Sequence, residues 1–444
     1  MAKRSYFQDI VSVLGSNLAV TLSNIITGII LSRVLGAAGY GLYSSILVVP
    51  IIVVGFTQLG IRRSLIYHLG NKSIPERNIY SAVFLLLLYT SALSIIICGA
   101  VFFFSDSLLV DPLIVGIVLL TIPLLLTNVF AGGIFLGKEQ ILRANIINAG
   151  PSLLTLVFTI LFVWILRFSV LGAFLAISIS NIFMVYFVYY IFSHDFKLKI
   201  IWKYQEGTIK MLVRLGIVNA VAIFIMQLNY RMDVLMLKKL STLEQTGYYS
   251  LAMQIAEQLW HVPYAIETII LSRSANTNDD QFVHKTVASI FRISLIIGLI
   301  GCATLFFLAP WVVPLVFGKA YTDSVLMIQT VLPGIFLMMG FRILNSRLTG
   351  MGKPQVAIFT FLPALMINFI ANLFLIPKFG GVGAAWATNI SYAAGSLAFL
   401  FVYSRLTKMP VAELFRYRQS DFYFLRDFRH FRIKRKNSSS ASAE

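Results

Sequence analysis

Charge is scarce in this chain. Asp, Glu, Lys and Arg make up 12% of its 444 residues, about half the share found in an ordinary soluble domain. Acidic residues are scarcest, 18 against 36 basic ones, for a formal net charge of +18. There are two cysteines, Cys98 and Cys302, each inside an apolar run, where a thiol behaves as a small buried hydrophobe. That excludes a disulfide scaffold and a cysteine metal site, and no cofactor is expected. Long polar stretches are also lacking, which excludes a disordered chain. Apolar residues take their place: 58% of the chain is hydrophobic, 36 residues are Phe, and the mean hydropathy is +0.84. No water-soluble core buries that much, so a soluble globular enzyme is excluded too. In so apolar a chain the positive excess reads as loops obeying the positive-inside rule, not as a nucleic-acid surface.

A spanning helix needs about 20 mostly apolar residues. Twelve such runs lie between polar breaks: Ile10–Ser32, Leu42–Ile61, Ile79–Phe104, Leu108–Leu136, Ala144–Leu166 and Val170–Phe192, then Met211–Asn229, Gly247–Leu271, Val287–Leu308, Val325–Leu348, Val356–Ile376 and Val382–Tyr403. The pattern predicts an all-α integral membrane protein of twelve transmembrane helices. Met1-Ala-Lys-Arg precedes an apolar run too long for a signal-peptide core, without a small-residue cleavage site, so a retained first helix is expected. With the N-terminus inside, the inner segments hold 29 Lys and Arg and the outer ones 7. Both termini are therefore expected in the cytoplasm, in a bacterial inner membrane.

The chain repeats itself. Gly39-Tyr40 with Tyr43-Ser44 returns as Gly247-Tyr248-Tyr249-Ser250. Gly137-Lys138-Glu139-Gln140 returns as Gly352-Lys353-Pro354-Gln355, and Phe168 with Gly172-Ala173 as Phe379 with Gly383-Ala384. Three matches in one order at nearly one offset predict two six-helix bundles of like orientation, residues 1–194 and 211–405. A connecting loop, 195–210, joins them, and a basic cytoplasmic tail, 406–444, follows. Parallel repeats of this kind place substrate between the halves, around a central cavity, and rock them alternately.

The stretch Leu31-Ser-Arg-Val-Leu-Gly-Ala-Ala-Gly-Tyr-Gly-Leu-Tyr-Ser44 resembles the start of Wzx-type polysaccharide flippases. So does Arg231-Met-Asp-Val-Leu-Met-Leu, followed by Gly247-Tyr-Tyr-Ser-Leu-Ala252. These flippases belong to the multidrug, oligosaccharidyl-lipid and polysaccharide exporter superfamily. The resemblance implies a V-shaped pair of bundles that moves a lipid-linked oligosaccharide, on polyprenyl diphosphate, from the inner to the outer leaflet. It transfers no site residue, because the family's substrate contacts are not fixed by a short motif.

Ionisable groups inside spans are costly and usually face a cavity or a partner. Arg231 and Asp233 lie near the outer end of the seventh span, where they either meet substrate or pair locally. In the eighth, Ser250, Gln254, Glu257, His261 and Tyr264 recur at spacings of four, three, four and three, one polar stripe on a helix that Pro263 is expected to kink. The stripe suits sugar hydroxyls, and Glu257 and Asp233 are candidates for ion coupling; interhelical packing is the competing reading. Asn17, Thr21, Asn24 and Gly28 make a similar stripe on the first span, fit for close packing or for sugar. Arg342, about two turns inside the tenth span, has the planar guanidinium that holds a diphosphate. Arg62 and Arg63 end the second span and read as positive-inside anchors. The substrate-binding candidates are thus Asn17, Asn24, Arg231, Asp233, Gln254, Glu257, His261 and Arg342.

Gly132 and Gly137-Lys138 have the spacing of a phosphate-binding loop, but Glu139 replaces the required Ser or Thr and no strand precedes it. The tail from Arg405 to Lys436 interleaves ten basic residues with aromatics; its place beside the last span predicts binding to anionic lipid rather than nucleic acid. The functional expectation is a flippase of lipid-linked oligosaccharide for surface polysaccharide such as O-antigen or capsule. Its expected partners are membrane lipids, a polysaccharide polymerase and a chain-length regulator. The alternatives are a drug or cation antiporter of the same superfamily and a membrane glycosyltransferase or polymerase. The last generally needs an external acidic domain, whereas the outer segments offer only Asp106, Asp111, Asp233, Glu244 and Asp323.

Overall fold

A computed structural model of the chain describes residues 6–71, 74–104, 111–194, 206–261, 280–417 and 421, and within them every regular element is a helix. The first half contributes α1 (Tyr6–Thr57), α2 (Ile61–Gly70), α3 (Glu76–Phe104), α4 (Pro112–Gly137), α5 (Ile141–Thr159, continued by a π turn over Ile160–Ile165) and α6 (Ser169–His194). The second contributes α7 (Glu206–Leu240), α8 (Leu243–Ala256, then a 3-10 turn over Glu257–Trp260), α9 (Asp280–Phe317), α10 (Asp323–Gly350), α11 (Gln355–Thr407) and the short α12 (Val411–Phe415). Nine helices among the described residues are long and apolar enough to cross a bilayer.

Two of those nine are hairpins. A straight α1 of 52 residues would be about 78 Å long, against a hydrocarbon core of about 30 Å. The chain folds back at Gly36 (φ 67°, ψ 179°), a backbone conformation that favours glycine. Gln254 shows it directly. Its amide donates to Asn24 O and its carbonyl accepts from the Tyr40 hydroxyl, two groups that a straight helix would hold about 24 Å apart. In α11 the turn is Gly380 (φ 55°, ψ −133°), and Asp233 reports it by bonding both Asn372 and Thr388. Nine helices with two hairpins, together with α8, whose described part enters the bundle at Leu243, are consistent with twelve crossings.

The duplication is visible in the backbone. After α4, Lys138 N bonds Ile134 O and Gln140 N bonds Phe135 O; after α10, Met351 N bonds Arg347 O and Lys353 N bonds Leu348 O. The two turns correspond 213 positions apart, pairing Glu139 (φ 56°) with Gly352 (φ 73°). The residue match in the sequence instead pairs Gly137 with Gly352. The left-handed residue fixes the true register, and it is glycine in only one copy.

The halves meet through a reciprocal contact. A Cβ on Gly41 would lie 2.0 Å from Leu243 O, and one on Gly247 would lie 2.0 Å from Ala37 O. Residue i touches j′ and j touches i′, the signature of a two-fold relation. One core cluster is drawn mainly from the first half, with Ile61, Ile79, Ile122 and Leu126, and a larger one centres on the second, with Leu237, Ile328, Ile335 and Phe399, but reaches across the seam to Leu31, Tyr40 and Ile52. Ile96, Leu120, Trp311 and Phe374 are exposed, as lipid-facing side chains are.

The structure adds local detail to the sequence reading at three places. The fourth span starts at Pro112, because Asp111 caps it by accepting from Leu113 N at 2.9 Å and Pro takes the first helical position. In the eighth span the helix already tightens to 3-10 at Glu257, ahead of Pro263; Pro263 and Tyr264 lie outside the described residues, as does most of the basic tail. Of the glycines that mimic a phosphate loop, Gly137 lies in a packing seam together with Gly133. A Cβ on Gly137 would lie 2.9 Å from Leu65 O and one on Gly133 would lie 3.0 Å from Arg62 O, whereas one on Gly132 would meet nothing closer than 3.9 Å, so Gly133 and Gly137 seat α2 against α4.

Candidate functional site

Contacts between elements sort the chain turns into two ends. The turns after α1, α4 and α10 carry Arg62, Arg63, Lys138 and Lys353, and α2 joins α4 and α7 there. The opposite end carries Gly36, Gly380 and the α9–α10 turn, joined when Tyr321 donates to Ser32 O at 3.2 Å. Between the ends, at the seam of the halves, lies a cavity of about 560 Å³, within the usual range of roughly 300–1,000 Å³ for ligand sites.

Both halves line it. Asn24, Thr27 and Gly28 come from the first limb of α1, Arg62 from the start of α2, and Asn128, Asn148 and Asn181 from α4, α5 and α6. Facing them are Arg231 of α7 and Ser250, Gln254, Glu257 and Gln258 of α8 and its 3-10 turn. Gly28 makes the approach possible, since a Cβ there would fall 2.6 Å from Gln254 Nε2. The stripe on the first span therefore both packs and lines the cavity, and Gly28 does both.

Arg231 Nη2 donates to Glu257 Oε2 at 2.9 Å, with side chains 28% and 15% exposed, a charge-assisted pair at the cavity wall. Gln258 Nε2 donates to Gln254 O at 2.8 Å. On the other wall Asn128 Nδ2 donates to Asn181 Oδ1 at 2.9 Å, and Asn181 Nδ2 to Ile177 O at 2.8 Å. Arg62 is exposed at the basic end of the cavity.

Of the candidates from the sequence, Asn24, Arg231, Gln254 and Glu257 are brought together here. Asp233 is not. Two residues from Arg231, it points the other way, into the second bundle, where it is fully buried and accepts from Tyr249 at 2.7 Å, Thr388 at 2.7 Å and Asn372 at 2.5 Å. Asn372 also donates to Asn368 at 3.0 Å, and Asn229 donates to Ser391 at 3.0 Å. Arg342 stacks on Trp260, 5.3 Å from its ring centroid, and is not among the lining residues. His261 lies 3.5 Å from Thr21, whose hydroxyl donates to Asn17 O; neither His261 nor Asn17 lines the cavity. The sequence reading missed Asn128, Asn148, Asn181 and Gln258. The signal was there for Asn128 and Asn181, each an amide deep inside an apolar span.

A family model described as polysaccharide biosynthesis protein matches residues 30–326, a span that contains both stretches that resemble Wzx-type flippases. An uncharacterised membrane protein of Methanocaldococcus jannaschii is 25% identical over 262 residues, 56% of this chain and 62% of that one, so the chain spans about three-fifths of that relative. A putative O-antigen transporter of Shigella flexneri is 23% identical over 401 residues, 85% of this chain and 92% of that one. Among solved structures, the lipid II flippase MurJ in an inward closed conformation superposes with a TM-score of 0.73 at 13% identity, covering 94% of this chain and 95% of that one. That likeness shows the fold.

Proposed function

Because the chain belongs to the polysaccharide biosynthesis protein family, and is a multi-pass transporter rather than an enzyme, we propose that it flips a polyprenyl-diphosphate-linked oligosaccharide by alternating access. The lipid would pass from the inner to the outer leaflet of a bacterial inner membrane, feeding surface polysaccharide synthesis. One observation carries this reading: a cavity at the seam of two pseudo-symmetric bundles, lined from both sides by amides, hydroxyls and two arginines. Amides and hydroxyls suit sugar, and guanidinium suits phosphate oxygens.

In this reading the diphosphate meets Arg62 near the basic end and the glycan extends toward Arg231. The 29-to-7 division of Lys and Arg supports a cytoplasmic basic end and cytoplasmic termini. Asp233, buried in the second bundle, takes up and releases the coupling ion, and Glu257 responds from the cavity wall. Arg342 acts through Trp260, whose Nε1 donates to Ile335 O at 3.2 Å, and so holds the wall behind the site. A polymerase and a chain-length regulator are the expected partners downstream.

Complementation of a flippase-deficient strain tests the proposal. The wild-type chain should restore polymer export, whereas Arg62→Ala and Arg231→Ala, at equal membrane levels, should leave lipid-linked glycan in the inner leaflet. Full export by both variants removes the phosphate contact. Failure of the wild-type chain in every such strain, with gain of drug efflux, replaces the flippase with an antiporter.

A further inference from the structure

Hydrogen-bonding capacity around the cavity is unbalanced. Six buried side-chain atoms of its lining have no hydrogen-bond partner among the described residues: Asn128 Oδ1, Glu257 Oε1, Gln258 Oε1, the Thr27 and Ser250 hydroxyls, and Arg231 Nε. Three are pure acceptors, two can act either way, and one is a donor.

The assignment of the amide oxygens does not rest on how O and N were named. Asn181 gives its NH₂ to a backbone carbonyl, Ile177 O, so its own oxygen faces Asn128. Asn128 must answer with NH₂, which leaves its oxygen as the open atom. Gln258 likewise gives its NH₂ to the carbonyl of Gln254, leaving Oε1 open. Glu257 is an acceptor by its charge, and that charge is already met on one side by Arg231. Asn128 is 8% exposed, and all six atoms are shut off from solvent in this conformation, so each is an unmet group, costly while buried, that a ligand reaches once its side chain turns toward the cavity.

We infer that the cavity selects an uncharged, donor-rich glycan, with Asn128, Glu257 and Gln258 as the specificity-determining acceptors for its hydroxyls; the inference rests on the flippase reading. A sugar hydroxyl donates one hydrogen bond and so satisfies an open acceptor. A uronate or other acidic sugar brings a carboxylate, which only accepts and would oppose whichever of the three it faces. Arg231 offsets this only in part, because Glu257 already neutralises that guanidinium through Nη2 and leaves its Nε–H as the single donor among the six atoms. Arg62, the other cation of the lining, stands at the basic end, on the diphosphate side. Specificity then lies in the sugar wall and generic recognition in the arginine.

The experiment uses the full-length protein in proteoliposomes with two synthetic probes. Both are polyprenyl diphosphate trisaccharides; they differ only in whether one hexose carries CH₂OH or a carboxylate at C6. Outward movement is read as the fraction of diphosphate cleaved by a membrane-impermeant phosphodiesterase added outside. The neutral probe should move at least about tenfold faster, since a polar site rejects a ligand that cannot meet its bonds. Asn128→Leu should slow the neutral probe more than the acidic one and so lower their ratio. Glu257→Gln, which frees Arg231 and removes the negative charge, should narrow the difference from the acidic side. Equal rates for the two probes, or a faster acidic one, overturn the inference and leave the flippase standing. Movement of neither probe, with folding verified by thermal unfolding, overturns the flippase reading and the inference with it.

Discussion

Fully buried, the Asp233 carboxylate accepts from Tyr249, Thr388 and Asn372. Each of these has somewhere else to donate. Tyr249 lies 2.8 Å from the Thr388 hydroxyl, Thr388 can turn to Ala384 O at 2.9 Å, and Asn372 already reaches Asn368. Removing the carboxylate therefore strands little, and Asp233→Leu should cost about 1–3 kcal/mol in detergent unfolding, roughly one unmet polar group. Asp233→Asn keeps the shape and should stay within about 1 kcal/mol of the parent. If the carboxylate couples an ion, the Asp233→Asn variant should nevertheless lose the response of flipping to an imposed sodium or proton gradient, measured in proteoliposomes. A parent-like gradient response in that variant removes the coupling role. The polarity of Asp233 was legible in the sequence, but its direction was not. Arg231 and Asp233 are two apart on a helix, so one faces the cavity and the other the bundle, and only the neighbours of α7 decide which.

Helices carry the fold through close approaches that few residues permit. The Gly41–Gly247 crossing brings α1 and α8 within backbone contact, and a Cβ on Gly41 would lie 2.0 Å from Leu243 O. Gly41→Ala should sharply lower yield and unfolding temperature in detergent. Gly99 in α3 is the control, because nothing lies within 4 Å of its Cβ position; there Gly→Ala should be neutral or stabilise by up to about 1 kcal/mol. Equal behaviour of the two variants would mean that the crossing gives way easily. Further along, Arg292 fastens α12 and Asp421 to α9. It holds the Asp421 carboxylate at 2.5 and 2.6 Å and also donates to Glu413 O at 3.2 Å, all deep in the fold. Breaking one side of such a pair leaves a buried charge unmet. Asp421→Ala should therefore speed tryptic cleavage around Arg405 and Lys408 while the spans stay intact, as read by the masses of the fragments. The all-helical class and the apolar spans were legible because 20-residue apolar runs separated by polar breaks are strong signals. Hairpin turns at Gly36 and Gly380 were legible only as polar breaks, and α2 was read as part of the polar connection after the second span, since ten residues with Arg62 and Arg63 at their start are too short and too charged to register as a span.

At the scale of the whole molecule, the proposed alternating access has the two ends of the seam open in turn, with contacts between halves at each end setting which is shut. At the end away from the basic turns, Arg33 of the first half donates to Val316 O at 2.7 Å and Leu315 O at 2.5 Å. These are carbonyls at the C-terminus of α9, where orphan acceptors and the helix dipole both favour a cation. Tyr321 adds its bond to Ser32 O, and Tyr40 and Tyr248 meet the Tyr321 ring edge-on at 6.3 and 5.9 Å. At the basic end, Arg63 Nη1 donates to Asn219 Oδ1 at 2.6 Å, and Gly60 meets Gly216 closely enough that a Cβ would fall 2.3 Å from its carbonyl. Arg33 is exposed, so its bonds are weak individually, but they exist only while that end is closed. Arg33→Ala should therefore bias the molecule toward opening there. Spin labels at 37 and 318, measured by electron–electron resonance in nanodiscs, should show a longer-distance population that grows in Arg33→Ala. If the ends alternate, adding Arg63→Ala should shrink that population again, because loss of the Arg63 contact favours opening at the basic end instead. If the ends open independently, the double variant should match Arg33→Ala alone. A distance distribution that Arg33→Ala leaves unchanged would remove Arg33 from the gate and assign closure of that end to the Gly41–Gly247 crossing and the tyrosines alone.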